Sequence, residues 1–221
     1  MLLTHFSKGT RKKMSEASEK YTLTRGQRVY SVFKRVIDIV LSFLGIIVLS
    51  PVFVACYFAI KIEDGWQSNA LFDQIRIGYR RKPFNLYKFR SMRKDTPHDV
   101  ATHLLKDPGQ YMTKVGRVLR RTSLDELPQL INILKGDMSV VGPRPALYNQ
   151  YDLIELREQY GVHEIKPGLT GWAQINGRDE LEIPEKVGKD VYYLKHVGLW
   201  MDIKCFFKSI GAVLRREGIA G

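Results

Sequence analysis

The longest pattern in the chain is a run of 22 residues, Ile39 to Ile60, without a charged side chain. At about 1.5 Å per residue, a helix over that run reaches about 33 Å, enough for a hydrocarbon core of about 30 Å. Pro51 interrupts the run beside Ser50, where it deletes one backbone hydrogen bond and presses on the carbonyl of Ile47. The Ser50 hydroxyl can satisfy part of the backbone opened in this way. Both flanks are basic, with Lys34 and Arg35 before and Lys61, Arg76, Arg80, Arg81 and Lys82 after. A spanning helix concentrates its Lys and Arg on one side. The pattern therefore predicts a re-entrant helix-break-helix over residues 29–62, broken at Ser50-Pro51, with both ends on the cytoplasmic face. A kinked spanning helix stays open as the alternative.

Shorter periods follow. Ile75, Ile77 and Tyr79 alternate, Gly78 to Pro83 supplies a turn, and Phe84, Leu86, Tyr87 and Phe89 follow, which predicts a β-hairpin within residues 71–92. Residues 95–115 are polar, with Pro97, Pro108 and Gly109, and read as a connection that could serve as a lid. Ser123 and Glu126 have capping-box spacing, ahead of an apolar stripe of Leu127, Leu130, Ile131 and Leu134 that stops at Lys135-Gly136. Pro128 lies just past the first turn of that expected helix. A tight corner, Gly142-Pro143-Arg144-Pro145, comes next, then an amphipathic helix within residues 146–164 that carries Leu147, Tyr148, Tyr151 and Ile154. A glycine-rich loop covers residues 166–178, and Glu185 to Arg216 is helical in pattern. The fold class expected is α+β, mainly α. A basic arm (residues 1–28) and the re-entrant membrane helix (29–62) precede a compact, mostly helical domain with a short β-hairpin (63–221).

Charge narrows the partners. The net charge of +12 and pI near 9.7 imply a nucleic acid, an anionic membrane surface or a phosphate-rich substrate. Residues 1–35 hold nine Lys and Arg against Glu16 and Glu19, more than half of the excess. Cys56 and Cys205 are far apart, and Cys56 lies in the apolar run, which argues against a disulfide framework and for a reducing, cytosol-facing compartment. The apolar run starts too far in, is too long and lacks the small-residue cleavage site of a secretory signal. No Walker loop occurs, and the five histidines are scattered and read as non-catalytic. What remains is Asp125-Glu126, an acidic pair between Arg120-Arg121 and Arg144. Adjacent carboxylates among guanidinium groups point to phosphate and metal chemistry. The expected helix start would also favour an ionised Asp125.

Several motifs occur together in one order: Ser50-Pro51, Tyr87-Lys-Phe-Arg-Ser-Met92, Arg121-Thr-Ser-Leu-Asp-Glu-Leu-Pro-Gln129, Lys135-Gly-Asp-Met-Ser-Val-Val-Gly-Pro-Arg-Pro145, Lys166-Pro-Gly-Leu-Thr-Gly-Trp172 and Asp190-Val-Tyr-Tyr193. Over roughly residues 30–210 the chain resembles the monotopic phosphoglycosyl transferases, bacterial sugar transferases that begin glycan assembly on polyprenyl phosphate, in their minimal catalytic form. The resemblance implies a ping-pong reaction at the cytoplasmic face of the bacterial inner membrane. Asp125 would attack the β-phosphate of a nucleotide diphosphosugar, usually a UDP-sugar, releasing UMP, and polyprenyl phosphate would then take the phosphosugar. It implies Mg²⁺ as cofactor on Asp125 and Glu126, with Arg120, Arg144 and Lys88 on phosphate oxygens. Asp190 and Asp202 match acidic positions of the family and are expected in a supporting role, either touching substrate or orienting an Arg or a helix end. Membrane lipids are expected as partners and nucleic acid is not; self-association stays open.

Two other classes compete. A membrane-tethered basic protein could hold anionic lipid or nucleic acid and would be indifferent to Asp125 and Glu126. A polyprenyl diphosphate hydrolase could use the same acidic pair and would need no lipid phosphate acceptor.

Overall fold

A computed structural model describes residues 20–97, 107–177 and 181–215. Its first element, α1, is a helix of 40 residues, Arg25–Asp64. Thr24 starts it with a true capping box: its hydroxyl accepts from the Gln27 backbone N–H, and the Gln27 side chain accepts from the Thr24 N–H. The helix does not break at Ser50-Pro51 as expected; it runs through Pro51 without interruption. Pro51 leaves the Ile47 carbonyl without its helical donor, and the Ser50 hydroxyl donates to that carbonyl at 2.8 Å. One missing bond, replaced locally, is insufficient to end a helix of this length.

Of the basic arm expected over residues 1–28, residues 1–19 lie outside the described residues. Lys20 pairs with Glu158 at 2.7 Å and the Tyr21 N–H donates to the Tyr160 carbonyl. Helix α1 is already under way by Arg25, so the arm as described is short and pinned to the domain.

The hairpin forms as the alternation predicts. Strands β1 (Leu71–Ile77) and β2 (Pro83–Phe89) pair antiparallel with Leu71 opposite Phe89. A third strand, β4 (Ala146–Leu147), adds to β1, so the first part of the segment read as helix over 146–164 is extended. The helix itself, α5, is confined to Tyr151–Gln159. A separate parallel pair joins β3 (Ser139–Val141) to β5 (Gly168–Thr170). Short helices α2 (Pro108–Tyr111) and α3 (Lys114–Arg121) lead towards the acidic pair, while residues 98–106 of the expected lid lie outside the described residues. The helical C-terminal pattern divides into α6 (Ile183–Lys195) and α7 (Leu199–Arg215).

The capping box expected at Ser123 does not form. Ser123 adopts a left-handed conformation (φ 56°) and makes no cap bond; Leu124–Glu126 is a 3₁₀ turn, and the regular helix, α4, spans Gln129–Lys135. Pro128 explains the displacement. It cannot donate within a helix and its ring crowds the carbonyl four residues back, so the regular bonding begins only after it. The chain ahead of it takes tighter, i to i+3 bonds instead.

The core lies among α4, α6, α7 and the strands. Leu86, Leu130, Ile133, Met138, Val140, Val141, Tyr193, Val197 and Cys205 form its main cluster. A second cluster, of Cys56, Ile60, Ala70, Phe89 and Leu119, docks the far half of α1. Near the start of α1, Arg35 donates to the Ile133 and Leu134 carbonyls at the end of α4 (2.5 and 2.8 Å), and buried Asp38 accepts from the Val140 N–H. At its end, Glu63 accepts from the first two N–H groups of α3, Lys114 and Val115, at 2.7 and 2.8 Å. Both ends of the membrane-length helix are thus held by one body.

Candidate active site

Asp125 and Glu126 share the 3₁₀ turn between α3 and α4, where β2 and the Gly142–Pro145 corner meet it. From β2 comes Lys88, whose Nζ donates to Glu126 Oε1 at 3.0 Å. The corner contributes Arg144, whose guanidinium donates to the same oxygen at 2.7 Å. Arg120, at the end of α3, adds a third positive charge that acts on Asp125. The structure thus brings together five of the residues expected from the sequence: Lys88, Arg120, Asp125, Glu126 and Arg144.

The two carboxylates differ in environment. Asp125 is 5% exposed, and no described residue donates a hydrogen bond to it. Burial pushes its carboxyl above the ordinary aspartate range; Lys88 opposes this, Glu126 adds to it, and Arg120 and Arg144 oppose it further. The charge on Asp125 therefore depends on neighbouring cations, in place of the helix start expected. Burial also disfavours the charge on Glu126, but Arg144 and Lys88 outweigh it and hold that carboxyl well below its ordinary range. Lys88 is itself lowered by burial, against the pull of Glu126. One acid is firmly ionised and occupied. The other is buried, takes no hydrogen bond from the described residues and is bordered by cations.

Both cations sit on Glu126 Oε1, which leaves its second oxygen and the Asp125 carboxylate for a cation. This donor set suits Mg²⁺, which typically takes one or two carboxylates and completes its shell with phosphate and water. Among the described residues no cluster of three or more His, Cys, Asp or Glu side chains is placed to hold a metal ion.

Asp190 and Asp202 are not in this group. Asp190, 1% exposed, takes the Nε and NH2 of Arg157 on one oxygen at 3.0 and 2.7 Å. Asp202 accepts from Tyr30 (2.7 Å), Lys34 (2.6 Å) and Tyr193 (2.6 Å), tying α1 to α6 and α7. Ser50 and Pro51 lie in α1 as described above, and no hydrogen bond or ion pair among the described residues joins them to the acidic pair.

Two residues near the site went unnoticed in the sequence. Asn132, fully buried in α4, grips the edge of β2: its side-chain oxygen accepts from the Tyr87 N–H (3.0 Å) and its amide donates to the Asn85 carbonyl (2.7 Å). It thereby fixes the strand residue next to Lys88. Arg157 is the other. Each carried a signal: Asn132 is a polar residue inside the run Leu130-Ile131-Asn132-Ile133, and Arg157 stands four residues after Leu153, on the stripe that α5 buries.

Comparison with known proteins gives several matches. The family model described as bacterial sugar transferase matches residues 29–216. A protein of Bacillus subtilis (strain 168), "Uncharacterized sugar transferase EpsL", is 39% identical over 188 residues, covering 85% of this chain and 90% of that protein. The UDP-glucose:undecaprenyl-phosphate glucose-1-phosphate transferase of Escherichia coli (strain K12) is 42% identical over 189 residues, covering 82% of this chain and 40% of its own length. The undecaprenyl-phosphate galactose phosphotransferase of Salmonella typhimurium is 37% identical, with 84% and 41% covered. The chain thus spans less than half the length of several relatives it matches, and the acidic pair with its cations lies within the matched region. It belongs to the bacterial sugar transferase family.

Proposed function

We propose that the chain transfers a sugar phosphate from a nucleotide diphosphosugar, a UDP-sugar, to polyprenyl phosphate, through a phosphosugar held covalently on Asp125. The carrying observation is the pair of unlike carboxylates: Glu126 ionised and held by Lys88 and Arg144, Asp125 buried and with no hydrogen-bond donor among the described residues. In the first step an Asp125 oxygen bonds to the β-phosphorus and the bond between that phosphorus and the bridging oxygen breaks. UMP leaves with the electron pair. In the second step an oxygen of polyprenyl phosphate bonds to the same phosphorus and the Asp125 carboxylate is released, so the enzyme returns unchanged. No proton need move in either displacement.

The chain's own residues supply most of what these steps require. Arg144 and Arg120 bring guanidinium groups that can hold phosphate oxygens in two-pronged fashion, and the charge developing on the transferring group is stabilised by donors already fixed in place. Lys88 lowers the cost of ionising Asp125 in a buried setting. Bound Mg²⁺, on Asp125 and the open oxygen of Glu126, would screen the charge of the pyrophosphate.

Placement at one face of a membrane follows from the same proposal. Helix α1 is apolar enough to enter a bilayer, and most of its most apolar stretch is exposed, including Val40, Leu44, Ile47, Val48 and Val54. Arg35 and Glu63, on either side of that stretch, are held by the same domain, which supports a helix kept at one face of the membrane over one that spans. Helix α7 adds Trp200 (81% exposed), Ile203, Phe207 and Ile210 to the apolar surface. A soluble nucleotide sugar and a lipid phosphate can both reach a site held at such an interface.

The test is turnover. With a panel of UDP-sugars and undecaprenyl phosphate, UMP and a lipid diphosphosugar should appear together, and EDTA should stop both. Lipid diphosphate hydrolysis without an acceptor, or full turnover in EDTA, would refute the transfer or its metal.

A further inference from the structure

The corner that carries Arg144 has an unusual problem. Pro143 and Pro145 have no N–H, so the segment cannot be pinned to a neighbour through its own donors on either side of Arg144. Its carbonyls are held instead, each by a different element. The Pro143 carbonyl accepts from the Gly168 N–H of β5 at 2.9 Å, and the Pro145 carbonyl from Arg76 NH1 of β1 at 3.2 Å. Between them, the Arg144 carbonyl accepts from Arg157 NH1 at 2.8 Å.

We infer that Arg157 is a positioning residue for the reaction: oriented by Asp190, it fixes the backbone of Arg144 so that the Arg144 guanidinium meets Glu126 and the substrate phosphate. This rests on the function proposed above. The energetics favour a purpose beyond packing. Arg157 is 3% exposed and Asp190 1%, and burying such a pair costs enough that apolar residues of similar volume often hold two helices as well or better. Two of the guanidinium nitrogens serve Asp190, and the third reaches outside the α5–α6 contact to the one residue between the prolines. Asp190 therefore acts on the site at one remove. The same geometry explains why a lysine is a poor substitute: a single ammonium cannot reach both edges that the planar fork serves.

A double variant tests this, because removing both charges avoids stranding either. Arg157→Met with Asp190→Leu should keep its melting temperature within a few degrees, yet release UMP at least 10-fold more slowly and exchange the amide hydrogens of residues 144, 146 and 147 faster. If melting temperature, UMP release and exchange all match the parent, the pair is packing alone and the inference is overturned. Should the double variant fail to fold, Arg157→Lys, which keeps a charge beside Asp190, must show the same slower release and faster exchange; parental values overturn the inference. Should the unaltered protein release no UMP from any donor, the proposed function fails, and exchange at residues 144–147 alone decides the role of Arg157.

Discussion

Glu126 takes two cations on one oxygen, and the acid beside it takes no hydrogen bond from any described residue. That contrast is what the proposed roles rest on: Glu126 holds Lys88 and Arg144, and Asp125 is the acid proposed to attack phosphorus. At this scale the sequence was informative about membership and uninformative about support. Asp125, Glu126, Lys88, Arg120 and Arg144 are legible because their chemistry is local to motifs, and charged side chains clustered around an acidic pair have few other uses. Asn132 and Arg157 are less legible because they act through backbone carbonyls and N–H groups of distant segments, which no spacing rule encodes. The expected cap at Ser123 failed for a local reason that was visible, since Pro128 follows too closely for the regular helix to begin earlier. Arg144→Lys should lower UMP release by about 10- to 100-fold although the charge is kept, because an ammonium cannot reproduce the guanidinium fork. Lys88→Met should lower it by about 100-fold, roughly 2.7 kcal/mol of barrier, with Glu126 left short of a partner. Steady-state UMP release by variants of parental melting temperature checks both.

Among the elements, α1 departs most from expectation. Its length and apolar character were plain from the sequence, and so was the proline, but whether a proline ends a helix depends on what becomes of one carbonyl. Here Ser50 covers the Ile47 carbonyl, and the helix continues. A mutant cycle reads this directly. Ser50→Ala should destabilise the protein by about 1 kcal/mol, the net worth of one hydrogen bond. Adding Pro51→Ala restores a backbone N–H for the same carbonyl and should recover the loss. Thermal denaturation in detergent or nanodiscs measures it, and a double variant as unstable as Ser50→Ala alone would contradict the arrangement. The strands tell a similar story. The β1–β2 hairpin was legible from alternation, whereas β3, β4 and β5, with two or three residues each, are too short to carry a period and exist because their partners are brought to them.

For the whole molecule, the decisive feature is that one body grips α1 on both sides of its apolar stretch, through Arg35 and Asp38 before it and Glu63 after, with Ile60 at its end packed into the core. The sequence supplied the basic flanks, but not the contacts, which join residues about 100 and 50 positions apart. Cysteines placed at Gly26 and Trp66 in sealed membranes should both react with a reagent confined to the cytoplasmic side; labelling from opposite sides would show a spanning helix. The placement, the cations and the corner all serve one claim, that Asp125 carries the phosphosugar between a soluble donor and a lipid acceptor. Intact-protein mass measured after incubation with a UDP-sugar and Mg²⁺, without lipid acceptor, tests that claim most directly. A mass gain of one sugar phosphate is expected, located on Asp125, discharged by adding undecaprenyl phosphate and absent from Asp125→Asn. UMP release without any such adduct, or an adduct that persists in Asp125→Asn, would contradict it.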